Sequence, residues 1–128
     1  MNNGNRMVVT TAAILVATGA LASLGLSPGE TADQPVPPAA RAYIVEMRGF
    51  EFIPAEMTVA IGDTILWINR DPVPHTATAR DSSWDSGRIE AGDSLRMVVG
   101  GEFGGEYFCV YHPMMTGMFR LDPERGGG

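Results

Sequence analysis

From Arg41 onward the sequence breaks into short runs of β character, each ended by a glycine or proline signal, and no stretch carries a convincing helical period. Tyr43–Met47 opens the series, Pro54 interrupts the stretch after it, and Glu56–Val59 resumes an alternation that stops at Gly62-Asp63. Thr64–Asn69 is the most apolar run and is expected to cross the core. Asp71-Pro72-Val73-Pro74 forces a loop, because each proline fixes φ and removes a ladder donor. His75–Ala79 reads as a strand of small residues, and Ser94–Val99, Glu106–Val110 and Gly117–Leu121 complete the set. Seven or eight short strands at near-regular spacing predict an all-β fold, a β-sandwich with Greek-key connections. Trp67 and Met118 are expected in the core, Trp84 in an exposed or edge position of its polar loop, and Met47, Met57 and Met97 in core gaps.

The residues before Arg41 have a different character. Met7–Leu26 is uncharged, follows a short polar start containing Arg6, and includes Ala20-Leu21-Ala22, which fits a small-x-small cleavage site. Residues 1–26 therefore read as an export signal or, if retained, as an N-terminal membrane anchor through residues 7–26, a run about as long as a bilayer core requires. Residues 27–40 form a Pro-rich linker, residues 41–122 one domain, and residues 123–128 a flexible tail. An exported protein, periplasmic or otherwise extracytoplasmic, is the expectation.

All nine basic residues are arginines, and the 15 acids leave a formal net charge of −6. Nucleic acid needs a basic footprint and is excluded as the main partner. One cysteine, Cys109, rules out an internal disulfide, so packing must hold the fold together. In an exported protein a lone thiol is at risk of oxidation unless it is buried or bound to a metal.

Around that cysteine the chain reads Tyr107-Phe108-Cys109-Val110-Tyr111-His112-Pro113-Met114-Met115-Thr116-Gly117. A thiolate, an imidazole and a thioether thus share one short loop between two strand candidates. A thiolate and two imidazoles in a plane, with a weak axial thioether, are the ligands of a blue-copper electron-transfer site. The second imidazole must be His75, the chain's other histidine, which follows the proline-rigid loop. Thiolate and thioether suit Cu(I) while imidazole also suits Cu(II), so a fixed compromise geometry lets the metal change charge with little rearrangement.

From about Arg41 to Asp122 the chain resembles the cupredoxins of the plastocyanin and amicyanin type, and the C-x2-H-x2-M spacing of Cys109, His112 and Met115 is most similar to amicyanin's short loop. The resemblance implies one type 1 copper ion per chain, Met115 as axial ligand rather than Met114 or Met118, and His112 as the electron port. It further implies a monomeric, non-enzymatic carrier working between a redox protein donor and acceptor. Many relatives place Asn directly after the first histidine, where it buttresses the cysteine loop; here the residue is Thr76, whose hydroxyl offers the same kind of hydrogen bond. A copper-trafficking or storage protein is the alternative, prompted by eight methionines but without Met-x-Met clustering. A copper oxidase or nitrite reductase would need further histidines for a second centre, and Phe108 and Val110 occupy the positions flanking the cysteine.

Overall fold

The computed structural model describes Gly19 and residues 38–126; the expected signal and most of the expected linker lie outside the described residues. Eight strands form two four-stranded sheets. They are β1 (Ala42–Arg48), β2 (Glu51–Ile53), β3 (Glu56–Val59), β4 (Thr64–Asn69), β5 (Thr78–Ala79), β6 (Ser94–Val98), β7 (Gly105–Phe108) and β8 (Thr116–Leu121). The first sheet runs in the order β2-β1-β4-β6 and the second in the order β3-β8-β7-β5. Both are mixed: β1 lies parallel to β4 with Val45 opposite Trp67, β3 lies parallel to β8, and the remaining pairs are antiparallel.

Alternation decides what faces the core. In β4, Ile65, Trp67 and Asn69 are buried while Thr64, Leu66 and Ile68 are only half-buried, the period of two that a sheet with one inner face requires. Trp67 sits at the centre, with ring centroids of Phe52, Tyr107 and Phe119 at 5.9, 5.4 and 5.9 Å in edge-to-face geometry. Met47 is fully buried, and Met57 and Met97 pack against the core as expected.

Two expectations are corrected, and contacts are found beyond the expected end of the domain. Trp84 is buried and stacks on Phe103 with centroids 4.6 Å apart, because its backbone is tied down by the Ala79 N–H to Trp84 carbonyl bond and the short 3-10 turn Gly101–Phe103 supplies a ring to cover it. Met118 is half-buried and outward, since Gly117 and Phe119 take the inward positions of β8. Gly117 is required there: a Cβ would run into the Tyr107 ring that packs across it. Finally, the contacts of the domain continue past Asp122. Arg125, inside the segment expected to be a free tail, bonds Asp122, the Tyr43 hydroxyl and the buried Asp63 carboxylate.

Candidate metal centre

Two loops at one end of the sandwich carry the chemistry, and each is closed by hydrogen bonds that the sequence dictates. β7 ends at Phe108 rather than Val110: the Cys109 N–H still donates to the Met115 carbonyl at 3.0 Å in the β7–β8 register, but the Met115 N–H turns to His112 and does not return the bond. Inside this neck the His112 N–H donates to the Cys109 carbonyl (3.2 Å) and the Met115 N–H to the His112 carbonyl (2.8 Å). Each x2 interval of Cys-x2-His-x2-Met is therefore one tight turn, and successive turns gather the three residues at the strand ends.

The second loop leaves β4 at Asn69. Its buried side-chain amide is shared by the carbonyls of Val73, Ile89 and Glu90, while its oxygen accepts the Asp71 N–H. His75 exchanges both backbone bonds with Ile89. Beyond it, Thr76 N–H donates to Cys109 Sγ at 3.3 Å and Ala77 N–H to Ser86 Oγ at 2.8 Å. Only Thr78–Ala79 of the expected His75–Ala79 strand is thus ladder-paired, since the preceding amides are committed to the site and its supporting loop.

His75 Nδ1 lies 3.7 Å from Cys109 Sγ, His112 Nδ1 lies 3.7 Å from the same sulfur, and the two nitrogens are 3.2 Å apart. A point equidistant from the three atoms is about 2 Å from each, the length of a first-row metal–nitrogen bond. Asp71 explains which nitrogen of His75 faces this point. Its carboxylate is 2.8 Å from His75 Nε2, and a carboxylate only accepts, so the proton belongs on Nε2 and the Nδ1 lone pair faces the point between the three donor atoms. Burial works to raise the Asp71 carboxyl, but the bonds from the Phe50 amide, His75 and the Gly49 amide, with the charge His75 can carry, hold it below its ordinary value.

The same carboxylate organises the β1–β2 turn. Arg48 pairs with Glu51, leaving Gly49 and Phe50 as a two-residue hairpin loop in which both have φ of 61°. A bulky residue with positive φ is strained, and Asp71 offsets that strain by accepting both turn amides, at 2.6 and 2.9 Å. The Phe50 ring is thereby set edge-on to both imidazoles, with centroids 5.6 Å from His75 and 4.8 Å from His112.

Of the four residues singled out from the sequence, His75 and Cys109 are fully buried, His112 is half-buried, and Met115 is buried with its backbone bonded to both Cys109 and His112. The imidazoles and the thiol form the one group of three or more His, Cys, Asp or Glu side chains able to hold an ion among the described residues. Met114 is 94% exposed beside His112. Thr76 buttresses the cysteine loop as its hydroxyl allowed, accepting the Val110 N–H at 3.0 Å. The sequence reading missed Asp71, Asn69 and Phe50. Asp71 had a signal, being the only acid between β4 and His75; Phe50 had none beyond its place after a glycine.

No family model matches the chain. It is similar to the amicyanin of Paracoccus denitrificans, 32% identical over 108 residues, covering 79% of this chain and 81% of that one. The chain belongs to the amicyanin family. Its fold superposes on a Cu(I) amicyanin variant with a TM-score of 0.55 at 24% identity, covering 66% of this chain and 85% of that one. The same sandwich recurs within the copper-containing nitrite reductase of Thermus scotoductus, with a TM-score of 0.54 and 24% identity, where it accounts for 70% of this chain but 23% of the larger one. Amicyanins are type 1 copper cupredoxins, an electron-transfer family, and the His75–Cys109–His112 group is a fit for one copper ion: thiolate and imidazole donors at the right separation, with the tautomer of His75 already set.

Proposed function

We propose that the chain is an exported one-electron carrier in which His75 Nδ1, Cys109 Sγ and His112 Nδ1 would hold one copper ion, with the Met115 thioether as a fourth, weak donor. The observation that carries this reading is the triangle of three donor atoms with its centre at metal–ligand distance. Bound copper supplies the electron by alternating between Cu(I) and Cu(II). The chain's own residues hold that geometry still: Asp71 orients His75, nested turns fix the Cys109–Met115 loop, and Thr76 braces the sulfur. A site held this way in both charge states needs little reorganisation.

His112 is the electron port in this reading. It lines a shallow depression of about 350 Å³ with Phe50, Pro113, Met114 and Met115, an apolar mouth suited to brief docking with a donor and an acceptor protein. Tyr111 and Val110 extend the exposed apolar surface. Both histidines of the chain belong to this one site, which leaves none for the second metal centre a copper oxidase or reductase requires. Among the described residues no helix is long and apolar enough to cross a membrane. The segment Met7–Leu26, as signal or as anchor, would carry the monomeric domain to an extracytoplasmic compartment.

A copper-trafficking role would need open thioether sites, whereas Met47 is buried and Met57 and Met97 pack against the core. The test is a challenge of the copper-loaded, reduced protein with a Cu(I) chelator, followed by reoxidation. Retention of a blue form supports the carrier; rapid loss of the metal to the chelator supports trafficking.

A further inference from the structure

We propose that Asp85, acting through the hydroxyls of Thr78 and Thr76, is a positioning residue for the Cys109 loop, so that a relay of three side chains does here what one asparagine after the first histidine does elsewhere. Thr78 Oγ1 is 3.0 Å from Asp85 Oδ1, Thr76 Oγ1 is 3.0 Å from Thr78 Oγ1, and the Val110 N–H meets Thr76 Oγ1 at 3.0 Å. The chain of bonds has a single direction. A carboxylate only accepts, so Thr78 donates to Asp85; with its one proton used, Thr78 accepts from Thr76; and Thr76, its proton used in turn, presents a lone pair to the Val110 N–H. Thr76 and Thr78 are both buried, where such bonds polarise and strengthen one another. Without Asp85 both hydroxyls are free to turn round, and Thr76 no longer has to face Val110 as an acceptor.

The relay ends where it matters. Thr76 follows His75 and Val110 follows Cys109, so this hydrogen bond joins the residues immediately after two of the metal-binding side chains. The Thr76 N–H itself donates to Cys109 Sγ, and hydrogen bonds to the cysteine sulfur tune the potential of such a site. Asp85 is in turn held by the Gly87 N–H at 2.8 Å and by a backbone bridge to Thr78, so it is a fixed end and not a mobile surface acid.

The redox part of this inference rests on Cys109 binding copper; the hydrogen-bonding part does not. Two measurements therefore test it: amide hydrogen exchange of Val110 in the metal-free protein, and the reduction potential of the copper form. Thr78→Val keeps the shape and removes the link, Asp85→Ala removes the exposed end, and Thr78→Ser keeps the link. Val110 exchange should quicken about tenfold in the first two, the equivalent of one net hydrogen bond, and stay at the wild-type rate in Thr78→Ser. The potential should fall in the first two, because a slack N–H···S contact leaves more electron density on the sulfur and favours Cu(II), and should be restored in Thr78→Ser. Unchanged Val110 exchange in a folded Asp85→Ala protein would overturn the relay, as would a Thr78→Ser protein that behaves like Thr78→Val. If Thr78→Val does not fold, Asp85→Ala decides alone. A wild type that never turns blue while Val110 exchange still responds to Asp85 would sink the copper reading and leave the relay standing.

Discussion

The Asp71 carboxylate meets His75 Nε2 at 2.8 Å and the Phe50 N–H through Oδ2 and accepts the Gly49 N–H at Oδ1, so one acid fixes an imidazole of the candidate site and the hairpin turn beside it. An amide in its place has one acceptor oxygen for three donors. Asp71→Asn is expected to weaken copper binding by about 10- to 100-fold, the usual cost of losing the partner that orients a ligating histidine. Competition titration against a chelator of known affinity measures it, and unchanged affinity would show that the Pro-rich loop alone aims His75.

Asp63 is a buried carboxylate whose partners bear on stability in acid. Burial pushes its carboxyl up, but the Arg41 and Ala60 amides and the Arg125 guanidinium more than offset this and leave it below the ordinary value. A carboxyl lowered in the folded state contributes stability that is fully present above its unfolded value of about 4 and is lost as pH falls through the folded one. Urea unfolding of the copper-free protein should therefore show stability declining below about pH 4, with a shallower decline in Asp63→Asn. At neutral pH Asp63→Ala should cost about 2–4 kcal/mol, since two amides and a mostly buried arginine lose their partner.

Trp84 is sandwiched between the Phe103 ring and the central Trp67, whose centroid is 6.3 Å away. Trp84→Ala should lower the unfolding free energy by about 3–5 kcal/mol, the range for deleting a large buried aromatic. Thermal melts read the loss. A change within about 0.5 kcal/mol, typical of a surface site, would return Trp84 to the exposed role its polar neighbours imply.

The axial assignment separates three methionines by position. Met115 is buried in the neck of the loop, Met114 is exposed, and Met118 is half-buried on the outward face of β8. Removing a weak axial donor destabilises Cu(II) more than Cu(I), so Met115→Leu should raise the reduction potential while Met118→Leu leaves it nearly unchanged. Voltammetry of the two variants decides, and a larger shift from Met118→Leu would reassign the ligand.

Much of this was legible because the informative residue types are rare. With one cysteine and two histidines in the chain, only one group could be assembled, and the x2 spacings translate directly into the two tight turns that gather it. The β-sandwich was legible from short runs of β character at near-regular spacing, some alternating, as in Glu56–Val59 and Ser94–Val99, and one apolar throughout, Thr64–Asn69. Edges were less so, because the amides of Thr76, Ala77 and Met115 turn away from the ladders to serve the site and its supporting loop, and nothing in their identities announces it. Trp84 misled through its neighbours: polarity next to a residue says little about where its own ring inserts. Met118 was decidable by parity, since Gly117 and Phe119 had already claimed the inward face. Phe50 was not, because its position depends on a positive-φ turn secured by an acid more than 20 residues away in sequence.

The absorption spectrum after addition of one equivalent of Cu(II) to the purified metal-free protein tests the central claim most directly. Wild type should develop an intense band toward the red end of the visible range, the thiolate-to-copper charge transfer of a type 1 site, and Cys109→Ser should lack it while Met114→Leu keeps it. A wild type that takes up zinc but forms no blue copper species, or a Cys109→Ser protein that stays blue, would contradict the account.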